Sequence, residues 1–258
     1  MHSIVDTHAH LDDVAFDGDR ADMRARASDA GVAAIIVPGI DAAGWPRIRE
    51  LCTKHRGMFP AYGLHPLFLA AHRPAHLAEL RAWCRKEAPV AVGEIGLDFH
   101  QGDLDPQAQR YYFSAQLELA AELELPVIVH ARRAVEEVIL ALRRVPGLRG
   151  VVHSFAGSEQ QAERLYAMGF CLGIGGPVTY PRARRLRRLV AGMPIEHLLL
   201  ETDAPDQPVS GHQGERNEPA RVRDVLNVIA ELRDQSLATV AAATTANARR
   251  LFGLPVVE

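Results

Sequence analysis

The chain has 258 residues, 48% hydrophobic and 24% charged, with a formal net charge of -3. That balance excludes a disordered or fibrous protein, supplies enough apolar matter for one barrel-sized core, and creates no global positive field that draws in a polyanion. No apolar run approaches the roughly 18 residues of a membrane span, and MHSIVDTHAH opens without the basic and apolar regions of a signal peptide, so a cytoplasmic protein is expected.

Short β-branched runs bounded by turn residues predict a strand over residues 4–8, followed by a helix over 20–30. A strand at 33–37 precedes a helix at 45–55, and a strand at 60–64 precedes a helix at 77–87. VAVGEI marks a strand at 90–95. The helix expected at 106–124 carries Phe113, Leu117, Ala120 and Ala121 on one face, with Asp105 as its cap and Pro106 in its first turn. VIVH at 127–130 leads into a helix at 134–144, a strand at 150–153 into a helix at 159–168, and a strand at 170–174 into a helix at 183–191. HLLLE at 197–201 is the last strand, and helices at 219–233 and 237–250 follow it. Eight strands alternating with helices over about 250 residues match the size of a closed (β/α)8 TIM barrel of the α/β class. An open doubly wound sheet is the alternative. No linker divides the chain, so residues 1–258 are read as one domain. The three cysteines, Cys52, Cys84 and Cys171, have no CxxC spacing and are expected as reduced thiols.

Barrel enzymes carry their reacting groups at the C-terminal ends of the strands. DTHAH closes the first strand, and residues two apart on a strand point the same way, so His8 and His10 project together. GEIGLDF brings Glu94 to the rim, with Gly93 and Gly96 leaving room for close approach. His130 and His153 close strands five and six, and ETDAP closes strand eight with Asp203 at the rim and Glu201 one layer deeper. One such residue is ordinary packing. Ionisable groups from five strands cost too much to bury together unless a cation compensates them. Imidazole and carboxylate donors without thiolate suit Zn²⁺, Mg²⁺ or Mn²⁺, and six ligands exceed one tetrahedral site, so two divalent ions are expected.

The sequence resembles the TatD family of metal-dependent hydrolases, within the amidohydrolase-like barrels. The resemblance rests on DTHAHLDD at 6–13, GLHP at 63–66, VGEIGLDFH at 92–100, PVIVHAR at 126–132, HSFAGS at 153–158, LETDAP at 200–205, RNEP at 216–219 and NARRLFG at 247–253. It implies a (β/α)8 barrel and a Mg²⁺- or Zn²⁺-dependent deoxyribonuclease, some members acting as 3'-to-5' exonucleases. By position it implies His8, His10, Glu94 and Asp203 around one metal, and the bridging Glu94 with His130 and His153 around the second. Asp203 would also orient the attacking water and accept its proton. His65, in GLHP, would contact the scissile phosphate or cap a helix. Arg132 would bind phosphate oxygens or form a structural ion pair. Asn217, Glu218 and Asn247 would support loops.

Three residues depart from the common pattern and bear on substrate choice: Asp206 after ETDAP, Arg133 where an acidic residue is frequent, and Leu67 after GLHP. The implied substrate is DNA, preferably single-stranded or frayed, with no membrane and no obligate protein partner. The same site chemistry also serves amide or ester hydrolysis of a small acyl substrate, and a catalytically silent metal-binding protein is the third alternative. PRARRLRRL at 181–189 sets five arginines near the active rim, where a polynucleotide backbone would lie. The bland reading is a solvated face, since the 29 basic residues include only two lysines, Lys54 and Lys86. Trp45 and Trp83 are expected to pack in the core, and His72, His76, His197 and His212 receive no role.

Overall fold

The computed structural model describes residues 3–100 and 102–255. Its eight strands pair in parallel in chain order: β1 (Ile4–Asp6), β2 (Val32–Pro38), β3 (Met58–Tyr62), β4 (Ala91–Asp98), β5 (Val127–Arg132), β6 (Gly150–Val152), β7 (Phe170–Ile174) and β8 (Leu198–Leu200). Helices α1 (Arg20–Asp29), α2 (Trp45–Lys54), α3 (Ala75–Glu87), α4 (Pro106–Glu122), α5 (Val135–Leu142), α6 (Glu159–Ala167) and α7 (Arg184–Gly192) lie between successive strands. Two more, α8 (Val222–Leu232) and α9 (Leu237–Phe252), follow β8. This is the (β/α)8 TIM barrel. No helix among the described residues is long and apolar enough to cross a membrane.

The period of two along each strand divides the core into two layers. Val5, Ile36, Ala61, Ala91, Ile128, Val151, Cys171 and Leu199, one from each strand, meet as the barrel interior and are joined by Leu251 and Phe252 of α9. Their neighbours, such as Val37, Val92, Val129, Val152 and Leu200, face outward against the helices. Trp45 and Tyr62 stack edge-on, and Trp83 packs beside both, so the tryptophans serve the core as expected.

The ring closes between β1 and β8 through a short seam. Thr7 donates both its backbone N–H and its hydroxyl to the Leu200 carbonyl at 2.9 Å. Asp203 N–H donates to the His8 carbonyl at 2.9 Å, and His10 N–H to the Ala204 carbonyl at 2.7 Å. Below them the buried Asp6 carboxyl accepts from the Thr202 N–H at 3.0 Å and pairs with its hydroxyl at 2.6 Å. The seam therefore brings the two ends of a long stretch of chain side by side at the rim.

Local differences from the expected elements have simple causes. β3 ends at Tyr62 rather than Leu64, because Gly63 and Leu64 turn away into a 3-10 segment, Pro66–Ala71, for which His65 is the cap. On α4, Ala121 is exposed, and the inner face is formed by Gln109, Phe113, Gln116, Leu117 and Ala120. Gln109 and Gln116 go inward because their amides pair with the backbone of Asp98 and Leu64. The Asp105 cap stands as expected, accepting from Gln107 N–H at 2.8 Å, and contributes about 1 kcal/mol. β4 continues to Asp98, so Glu94 sits within the strand, while His153 and Asp203 stand just beyond β6 and β8.

The seam gives a stability prediction. Replacing Thr202 by Val keeps the volume but leaves a buried Asp6 oxygen without its partner. Unfolding in urea is expected to show a loss of about 1–3 kcal/mol. A variant as stable as the parent would remove this pair from the forces closing the barrel.

Candidate metal centre

Glu94 is the hub. Its side chain lies on β4 with 1% exposure, and its two oxygens face different histidines. Oε2 lies 3.1 Å from His8 Nε2 and 3.5 Å from His10 Nε2. Oε1 lies 3.0 Å from His65 Nε2, 3.0 Å from His130 Nδ1 and 2.8 Å from His153 Nε2. Asp203 approaches from the seam, with Oδ1 3.5 Å from His8 Nε2 and 3.7 Å from His10 Nε2. All six residues expected at the rim therefore converge. Backbone room makes this possible: at Gly96, with φ +146°, a Cβ would stand 2.0 Å from the His130 carbonyl oxygen.

Supporting residues surround the hub; Asp98, Ser154 and Glu201 lie within the quoted motifs, and Gln207 lies outside them. Asp98, four residues past Glu94 on β4, accepts from His130 Nε2 at 2.9 Å. That bond holds the ring so that Nδ1 faces Glu94. The even spacing from Glu94 was the available signal. Glu201 is buried beneath His153, where Oε1 accepts from the Ser154 N–H at 2.6 Å and lies 3.6 Å from His153 Nδ1. Gly173 permits this, since a Cβ there would stand 2.0 Å from a Glu201 oxygen. Gln207 donates its amide to Asp203 Oδ2 and pairs with the Ser154 hydroxyl at 2.9 Å. Nothing in the sequence pattern announces this link.

His65 caps its 3-10 segment, accepting from Leu67 N–H at 3.1 Å through Nδ1, while Nε2 reaches Glu94. His72 in turn pairs with the His65 carbonyl at 2.9 Å. Arg132 is exposed at the cleft wall and forms no ion pair among the described residues. Asn217 Nδ2 donates to the carbonyls of Thr202, Asp206 and Gln207, Asn247 ties α9 to Ile195 and Leu198, and Glu218 pairs with Arg26. These three do support loops and packing.

Charge in so small a space cannot be uniform. Burial works against ionising Glu94, but His65, His153 and His8 outweigh it and hold the carboxyl well below its ordinary range. Burial pushes His65 down to about 4 and His8 well below its usual value. At His10 burial is overcome by Glu94 and Asp203, raising the imidazole to about 9, and Glu94 with Glu201 raises His153 likewise. Burial lifts Asp203 to about 6 against the pull of His153 and His10.

The donors fit a divalent ion. Ligand atoms held about 2.1 Å from a metal stand roughly 3–3.5 Å apart, which is the spacing found around Glu94. Imidazole nitrogens abut without an intervening acceptor, at 3.2 Å for both His8–His10 and His130–His153. His8 Nδ1, His153 Nδ1 and Glu201 Oε2 are buried with no hydrogen-bond partner among the described residues. Among the described residues, three groups are close enough to share an ion: His8, His10 and Glu94; His65, Glu94 and His130; and His8, His153 and Glu201. The centre opens into a cleft of about 1010 Å³, whose walls include Arg132, Arg133, Leu67 and Asp206.

A parallel barrel with imidazoles and carboxylates gathered at its C-terminal rim defines a metallohydrolase-type site. Residues 5–253 match the family described as TatD related DNase. An Escherichia coli relative, an uncharacterized metal-dependent hydrolase YjjV, is 42% identical over 97% of this chain and 98% of its own. Its crystal structure superposes with a TM-score of 0.94, covering 98% of each chain at 41% identity. The 3'-5' ssDNA/RNA exonuclease TatD of Erwinia billingiae is 36% identical over 97% of this chain and 99% of its own. The chain belongs to the TatD-related DNase family, and by class it is a metal-dependent hydrolase.

Two outcomes test the centre. Glu94 and Asp203 raise His10 to about 9, and Glu94 with Glu201 raises His153, so an entering ion is expected to displace protons from these rings. Zn²⁺ titrations at pH 7 in buffers of differing ionisation enthalpy are expected to show proton release, and affinity that rises toward pH 9. Binding without proton release would contradict those charge states. Asp98→Ala is expected to weaken metal binding roughly 10–100-fold in chelator competition while leaving the circular dichroism unchanged. Unaltered affinity would show that Asp98 does not orient His130.

Proposed function

We propose that the protein hydrolyses phosphodiester bonds of nucleic acid, taking single strands or frayed ends from the 3' side, with two divalent ions held around Glu94. The observation that carries this is the division of the Glu94 carboxylate, Oε2 facing His8 and His10 and Oε1 facing His130 and His153. His8, His10, Glu94 and Asp203 would hold one ion, and Glu94, His130 and His153 the other, with Zn²⁺, Mg²⁺ or Mn²⁺ as suitable occupants. When bound, such ions supply Lewis-acid stabilisation of phosphoryl oxygens and lower the pKa of water.

The chain's own residues do the rest. Asp203, raised to about 6, is ionised near neutrality yet basic enough to take a proton from the attacking water. Gln207 fixes one Asp203 oxygen and leaves the other toward His8 and His10. Arg132 and Arg133 on the cleft wall suit a phosphate better than a neutral acyl group, which supports the nucleic-acid reading over amide hydrolysis. The similarity to a named exonuclease supports the polarity of attack. His65 would orient the Glu94 carboxylate as well as approach substrate. The unpaired thiols Cys52, Cys84 and Cys171 accord with a reducing cytoplasmic location.

Metal-depleted protein reconstituted with each ion in turn is expected to degrade 3'-labelled and 5'-labelled single-stranded DNA, with duplexes cut from their ends. Glu94→Ala should lose bound metal and at least 10²-fold in rate, about 2.7 kcal/mol of barrier. If every oligonucleotide stayed intact with every ion while acyl-amino-acid substrates turned over, the nuclease reading would be replaced by the acyl one.

A further inference from the structure

Beside the metal cleft lies a second cavity, of about 290 Å³, between the chain that follows β6 and the chain that leads into α7. Ser154, Ala156, Gly157 and Arg185 line both spaces, so the two are adjoining compartments of one surface. Ser154 directly follows His153, which ties the second cavity to the centre through a single peptide link. Arg182 and Arg184 line the second cavity and are absent from the walls of the first.

Some arginines elsewhere on the surface are neutralised by carboxylates. Arg26, Arg49, Arg110, Arg164 and Arg216 each hold a carboxylate at 3.0 Å or less. Among the described residues, Arg182, Arg184, Arg185 and Arg188 form no ion pair; the cation at Arg182 rests over the Tyr180 ring at 5.1 Å. Arg185 donates to the Ala156 carbonyl at 2.5 Å, which fastens the wall shared by the two cavities. On α7, Leu189 and Val190 are buried and Leu186 half-buried, so packing turns the arginines outward. Uncompensated guanidinium groups around a small concavity recognise an anion with tetrahedral oxygens.

We infer that this cavity is a second phosphate subsite, which holds a backbone phosphate of the same strand whose scissile phosphate lies at the Glu94 centre. The inference rests on the phosphodiesterase reading above and deepens it: the substrate is a polymer gripped at two phosphates, not a lone diester. Arg182 and Arg184 supply the grip, and Arg185 joins the compartments. Phosphate contacts of this kind fix register and carry no base preference.

The test compares the metal-loaded parent with the Arg182→Ala/Arg184→Ala double variant. Their affinity for a labelled phosphorothioate single strand, which resists cleavage, is measured by anisotropy across a salt series. Turnover of bis(p-nitrophenyl) phosphate, a diester with no neighbouring phosphate, is measured alongside. The double variant should bind the strand about 10-fold more weakly at low salt, with a salt slope reduced by about 0.7 for each phosphate it no longer neutralises. Its turnover of the small diester should equal the parent's, and Arg182→Lys/Arg184→Lys should restore the slope. Unchanged affinity and slope in the alanine variant would overturn the subsite, even in an enzyme that degrades DNA. Weakened strand binding in the variant of a protein whose parent cleaves no diester would leave the subsite standing and overturn the phosphodiesterase reading.

Discussion

Five imidazole nitrogens close to within 3.5 Å of one buried carboxylate, that of Glu94, and the arrangement of the barrel mouth depends on that convergence. A carboxylate this far from water is costly unless charge or hydrogen bonds surround it. Here the chain after β1 delivers two rings to it, and β5, the chain after β3 and the chain after β6 deliver one each. None of these segments shifts along its neighbour without pulling an imidazole off Glu94. A binding site on this scale is therefore also a constraint on strand register.

The ring-shaped architecture adds a second constraint at the seam between β1 and β8. Asp203 has a positive φ of 58°, as do Ser154 at 46°, Arg133 at 54° and Gln207 at 51°, all of them residues lining the cleft. Left-handed backbone in residues with a side chain is unfavourable in isolation and persists where surrounding contacts hold it. For Asp203 those contacts are the backbone bond to His8, the Gln207 amide, and Asn217 clasping the loop from below. The rim is held by many weak interactions, several of them between residues of the chain that follows β8.

Much of this was legible in the sequence because strand patterning and ligand chemistry coincide. Alternation of β-branched runs with amphipathic segments fixed the strand count and, through it, the rim. His8, His10, Glu94, His130, His153 and Asp203 then stood out as ionisable residues at the expected ends of five strands. What escaped was whatever depends on three-dimensional approach. Gln207 reaches Asp203 only because its loop doubles back, and Asp98 meets His130 only through the pairing of β4 with β5. Glu201 was legible as a buried carboxylate, but its place under His153 depends on the gap at Gly173. The inward glutamines of α4 escaped for a related reason: polarity predicts exposure, and the backbone groups that reward burying them are distant in sequence.

The closing seam also orders events in time. Thr7 meets Leu200, and His8 meets Asp203, across almost two hundred residues. A nascent chain emerging from the ribosome holds His8 and His10 long before Asp203, which joins them only once β8 and the residues after it have been made. The complete constellation is thus a property of the finished barrel. A chain that lacks β8 and the residues after it, however much helix and strand it has formed, carries only fragments of the cluster around Glu94.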